Sequence, residues 1–230
     1  METVRDYSQS TGVDIAVQQN RVLRNVYALL ALTMVPTVLG ALLGVQLNFS
    51  FMATSPFIGF LLVLAVMFGF IFAIQRTKDS SLGVFVLLGF TFFMGLLLGP
   101  MLQHALGFKN GGTMIALAAG GTGAIFMTLA GVASNTARDF SNLGKFLFAG
   151  LILMILAGVA NMFFQIPALS LALSAIAIMV FSAYVLYDIN NIVKGGETNY
   201  ITATLNVYLD IYNIFINLLN LIMAFTGERD

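Results

Sequence analysis

The chain has 230 residues, 59% of them hydrophobic and only 9% charged, with a mean hydropathy of +0.95. Soluble domains carry roughly 45–50% apolar and about 25% charged residues, so a water-soluble fold is excluded; its core would be full long before the apolar residues were placed. Ten basic and ten acidic residues cancel, leaving no surplus field for nucleic acid, and the absence of cysteine removes disulfides, thiolate metal sites and thiol nucleophiles.

Residues 1–25 are mixed and polar, with acids at Glu2, Asp6 and Asp14. They lack the apolar core and small-residue cleavage site of a signal peptide and read as a short extramembrane tail. A bilayer-crossing helix needs about 20 predominantly apolar residues. Seven runs meet this: Val26–Val45, Pro56–Ile74, Leu82–Leu102, Thr113–Ala133, Leu143–Phe164, Ala168–Tyr187 and about Ile201–Phe225. The expected fold is all-α, a polytopic seven-helix bundle over residues 26–226 with a short tail at 227–230. Continuous apolar runs without period-two alternation exclude a membrane β-barrel. Gly120, Gly121, Gly123 and Gly131 on the fourth run, and Gly150 and Gly158 on the fifth, are expected to let backbones approach closely, with Gly120–Gly123 as an alternative hinge.

Lys and Arg in short loops set orientation. With the N-terminus inside, that side receives Arg5, Arg21, Arg24, Arg76, Lys78, Arg138, Lys145 and Lys194, and the other side only Lys109 and Arg229. The N-terminus is therefore expected in the cytoplasm. The C-terminus lies outside if the seventh run spans fully and inside if it is re-entrant. His104, the single histidine, falls in an outer loop as a solvated residue.

The seventh run carries the most specific pattern. Asn206, Asp210, Asn213, Asn217 and Asn220 recur at steps of four, three, four and three, which places them on one helical face. Polar side chains facing lipid are costly, so the stripe is expected to face other helices or a wet cavity, with interhelical hydrogen bonding as the simplest role for the asparagines. Asp210 lies about 13 Å into the run at 1.5 Å per residue, and a carboxylate at that depth suggests a functional site. Its candidate partners are Asp188, at the inner end of the sixth run, and Arg76, at the inner end of the second; each has the alternative of snorkelling to the headgroups. Two carboxylates in a low-dielectric site share a proton or take up a cation. Their hard oxygens suit protons or calcium, and a nearby arginine could compete as a latch.

The segment Ser182–Leu219, SAYVLYDINNIVKGGETNYITATLNVYLDIYNIFINLL, together with the seven-run layout, resembles the Bax inhibitor-1 (transmembrane Bax-inhibitor-motif) family. The loop Gly195-Gly196-Glu197-Thr198-Asn199-Tyr200 and the run Tyr212-Asn213-Ile214-Phe215 are similar to its bacterial YccA-like branch, described as modulators of the membrane-anchored FtsH protease. The resemblance implies a bacterial inner-membrane protein with a seventh helix wrapped by the other six. It also implies a pH-sensitive calcium leak gated by an aspartate pair, here Asp188 and Asp210, with Arg76 as latch. No cofactor is implied beyond a calcium ion at those aspartates.

Three functions compete. The expected one is a proton-gated calcium leak, and the alternative is a non-transporting regulator of FtsH, engaged through the N-terminal tail. The third, an intramembrane aspartyl protease, would use the same two aspartates as acid and base. It lacks the glycine-rich partner motif, and the chain has no Ser-His or His-Glu-x-x-His arrangement, so no enzyme is expected.

Overall fold

The computed structural model describes residues 2–47, 56–136 and 140–227, with side chains of the first helix from Gln19 onward. Arg138, Arg229, the loop residue Asn48 and the last three residues of the expected C-terminal tail lie outside the described residues. The helices are α1 (Glu2–Gln46), α2 (Pro56–Thr77), α3 (Ser81–Leu106), α4 (Gly111–Asn135), α5 (Leu143–Phe164), α6 (Pro167–Val193) and α7 (Tyr200–Thr226). Each contains a segment long and apolar enough to cross a membrane, and no strand occurs among the described residues. The chain is an all-α, multi-pass membrane protein. Lipid offers a backbone no hydrogen-bond partners, so every crossing closes its bonds within a helix.

Three boundaries differ from those read in the sequence. α1 is unbroken for 45 residues from Glu2, so the polar tail is a helical continuation of the first span, and the residues ahead of Gln19 add about 25 Å at 1.5 Å each. α6 runs on to Val193 instead of stopping at Tyr187, which puts Asp188 inside the helix. α3 reaches Leu106, so His104 sits in its last turn, exposed, with its ring 5.3 Å from that of Phe108.

α7 is the hub. It touches α1, α2, α3, α4 and α6, whereas α5 packs on α6 and meets α2 through the Phe57–Phe163 ring pair, away from the hub. The expectation of six helices wrapped around the seventh is therefore corrected to five. α5 buries only Leu147 and turns Phe146, Leu153 and Phe163 outward, which costs nothing where the surrounding solvent is hydrocarbon. α7 spans fully. Its first turn lies beside the α2–α3 turn, and at its other end Asn110 Nδ2, in the α3–α4 turn, donates to Thr226 O at 2.7 Å.

The tightest seam joins α1 to α3. A Cβ placed on Gly40 would strike the backbone of Phe92 and Leu96, one on Gly95 the backbone of Thr37 and Ala41, and one on Gly99 the backbone of Gly44. These are two small-xxx-small pairs, Gly40/Gly44 and Gly95/Gly99, that bring the helices to backbone contact. The glycines expected to do this do not. Gly120, Gly123, Gly131 and Gly158 have nothing within 4 Å of such a Cβ, Gly150 makes an ordinary contact with Val180, and only Gly121 is close, to the Leu218 side chain. Above the seam, Tyr208 Oη of α7 pairs with Thr37 Oγ1 at 3.0 Å, and Tyr212 Oη donates to Met94 O at 3.2 Å.

The α6–α7 connection is fixed by its residue types. Gly195 takes φ +78°, the left-handed region glycine enters freely. Gly195 N then donates to Ile192 O at 3.1 Å and Gly196 N to Asn191 O at 2.9 Å, closing α6 with a Schellman motif. Asn199 opens α7, its Oδ1 accepting from Ile201 N and Thr202 N while its Nδ2 donates to Lys78 O at 3.0 Å and Asp79 Oδ1 at 2.9 Å. One side chain thus caps the hub and ties it to the α2–α3 turn. Asn199→Ala is expected to cost about 1–2 kcal/mol, mostly as the lost cap, while Asn199→Ser keeps a capping oxygen and loses the donated bonds. Thermal unfolding in detergent micelles should rank wild type, Ser and Ala in that order.

Candidate functional site

Asp188 and Asp210 come together between α6 and α7. Asp188 lies five residues before the end of α6 and Asp210 ten residues after the start of α7, about 8 and 15 Å from the same end of the bundle. Side chains lean toward the N-terminus of their own helix, and in this antiparallel pair the two leans point at each other, closing the offset. The two carboxyls face each other within reach of a hydrogen bond. Such a bond requires a proton between two groups that are otherwise acceptors only.

The pair is enclosed. Asp210 is 5% exposed and Asp188 half-buried, and Asp210 Oδ2 has no hydrogen-bond partner. Tyr184, one turn before Asp188, faces both carboxyls, and its ring heads the ladder Tyr184–Tyr187 at 6.5 Å. Glu197, in the α6–α7 connection, acts electrostatically on Asp188 and accepts from Asn199 N at 2.7 Å. Asn190 braces this part of α6, with its Oδ1 accepting from Phe140 N at 3.1 Å and its Nδ2 donating to Ala133 O at 3.5 Å. Reading the sequence missed Tyr184, Glu197 and Asn190. All three lie within the segment Ser182–Leu219, and their spacing from Asp188 (one turn before, and two and nine residues after) was the available signal.

Arg76 is not brought to the pair. It is exposed in the last turn of α2, α2 does not touch α6, and among the described residues Arg76 forms no ion pair with either carboxyl. The asparagine stripe also divides. Asn206 is exposed, which corrects its expected place on an inward face. Asn213 and Asn217 donate to carbonyls of their own helix, Leu209 O and Asn213 O, both at 2.8 Å. Asn220 alone of the four makes an interhelical bond to a side chain, its Nδ2 donating to buried Ser174 Oγ at 2.9 Å. A cation at the aspartates would find two carboxylates, and among the described residues no group of three or more Asp, Glu or His comes together. Calcium takes six to eight oxygens, so waters or carbonyls would have to supply most of its shell.

The profile of the family described as "Inhibitor of apoptosis-promoting Bax1" matches residues 19–227, from the start of the first span to the end of α7. A protein of Escherichia coli (strain K12) named "Modulator of FtsH protease YccA" is 39% identical over 203 residues, 88% of this chain and 90% of that one. An uncharacterized protein of Neisseria meningitidis is 38% identical over 227 residues, 98% of each chain, and an uncharacterized membrane protein of Vibrio cholerae is 35% identical over 216 residues, 94% and 95% of the two chains. With the profile covering all seven helices, the chain belongs to the Bax inhibitor family.

Proposed function

We propose that the protein is a modulator of an FtsH-type membrane protease, residing in a bacterial inner membrane with its N-terminus in the cytoplasm. The observation that carries this reading is the 39% identity, along nearly the whole bundle, to a protein named for that role. The helical extension of α1 supports it. Residues 2–18 precede the family match and stand about 25 Å beyond the first span, at the end that holds Arg21, Arg24, Arg76, Lys78, Lys145 and Lys194. A rod at that position is within reach of a cytoplasmic protease domain. Full-length protein drawn from membranes is expected to retain the protease, and a chain lacking residues 2–18 to lose it while melting at the same temperature. Failure of both forms to retain the protease refutes the reading; retention by both moves the contact from the extension to the bundle.

A second reading, favoured by the Asp188–Asp210 contact, is a proton-gated cation leak with calcium as cargo. The shared proton would hold α6 to α7, and its gain or loss would release them. A latch role for Arg76 requires the end of α2 to shift, and α2 has only a slight contact with the hub.

A further inference from the structure

α1 and α4 both lean on α7, meet each other at one end through Tyr27, Phe126 and Ser134, and beyond that contact border an open groove of about 1040 Å³. Its floor is Tyr208, Ile211, Tyr212 and Phe215 of α7, and its α1 wall extends from Tyr27 to Gln46. That is about 28 Å of helix, the thickness of the hydrocarbon core. Acyl chains are slender enough to enter.

The α4 wall is kept low by Gly123 and Gly131. Unlike the glycines of the α1–α3 seam, these meet no atom within 4 Å, so nothing in the protein's own packing asks for their small size. At one end the groove turns polar, where Tyr27 Oη and Ser134 Oγ lie 3.5 Å apart. One turn further along the α1 face defined by Tyr27, Ala31, Met34 and Val38 stands Arg24, exposed and in no ion pair among the described residues. A cation at headgroup depth above an apolar trough is complementary to one molecule abundant in a membrane, an anionic phospholipid. We propose that the α1/α4 groove is a binding site for an anionic phospholipid, with its acyl chains along Gly123 and Gly131 and its phosphate against Arg24.

The chain contains no tryptophan, so a single one is a clean reporter. Met127→Trp places it at the groove, at a residue 75% exposed, and Leu153→Trp places one at similar depth on the outer side of α5, at a residue 66% exposed. Each is reconstituted in phosphatidylcholine vesicles in which either the phosphatidylcholine or added phosphatidylglycerol carries brominated chains. Quenching at position 127 is expected to favour the brominated phosphatidylglycerol about fivefold, the factor one basic residue contributes near an anionic surface, with no preference at position 153. Adding Arg24→Gln should remove the preference and Arg24→Lys retain it. Adding Gly123→Leu with Gly131→Leu, at positions with room for side chains, should reduce quenching at 127. Equal quenching at both positions by both lipids would show an ordinary lipid boundary and overturn the proposal. Strong quenching at 153 with none at 127 would also overturn it, because a second copy or another protein's helix would then fill the groove. A preference that survives Arg24→Gln overturns the phosphate assignment.

Discussion

Calcium entry into dye-loaded proteoliposomes is expected to lose its pH dependence when Asp210 is replaced by asparagine. A hydrogen bond between the two carboxyls needs at least one proton and is strongest while a single one is shared. Removing it leaves two adjacent anions in a low-dielectric site, and adding a second removes the charge that strengthens the bond. The asparagine amide donates to an ionised Asp188 and accepts from a protonated one, so the variant holds its helices together in either state. Asp210→Ala behaves oppositely. It leaves Asp188 without its partner at about 1.5–3 kcal/mol, the usual worth of a charged hydrogen bond, and so raises the released population roughly tenfold to a hundredfold. Flux is therefore expected to be low and flat with pH for asparagine, and high for alanine. If the asparagine variant reproduces the wild-type profile, the pair is not the gate and the leak reading falls.

The α1–α3 seam predicts the largest loss of stability. At Gly95 an added Cβ would meet the Thr37 carbonyl group and approach Ala41 N to 3.0 Å. Both obstacles are backbone, so no rotamer change relieves them. Overpacking that side chains can absorb costs about 1–3 kcal/mol, and Gly95→Leu is expected to exceed that range and leave little folded protein. Gly158→Leu adds the same atoms where nothing lies within 4 Å and should stay within about 0.5 kcal/mol of wild type. Folded yield by size-exclusion chromatography and melting temperature in detergent read both. Equal losses at the two sites would mean that leucine in any helix of this bundle is harmful, and that the seam is not special.

The contrast between those glycines shows what the sequence could convey. Apolar runs of membrane-spanning length are a one-dimensional property, so all seven helices were legible, as was the depth of Asp210 in the last. Close approach is a property of pairs. Three of the four glycines clustered on the fourth run, Gly120, Gly123 and Gly131, face open space, whereas those at backbone contacts lie on α1 and α3, which the chain order separates by α2. Helix ends were misjudged where polar residues looked like loop. Asn190 points its amide inward to Ala133 O and Phe140 N, so α6 continues past Asp188 and the aspartate lies deeper than its sequence neighbourhood implied. Asn206 failed in the reverse sense. Helical angle assigns a side, but burial depends on how far the neighbouring helices extend beside it.

The hub of the bundle also leaves the ribosome after the six helices that precede it in chain order. Chains fold progressively from the N-terminus during synthesis, and α1 can zip to α3 as soon as α3 has entered the membrane. α7 arrives after the other six and must enter the space that five of them surround. Until then Asp188 stands in the membrane without Asp210, and the Thr37 hydroxyl and Met94 carbonyl that Tyr208 and Tyr212 later meet lack those partners. A nascent chain stalled before Tyr200 is therefore an unfinished shell with an exposed carboxylate, a substrate for membrane quality control. Arrival of α7 and assembly of the buried aspartate pair are one event.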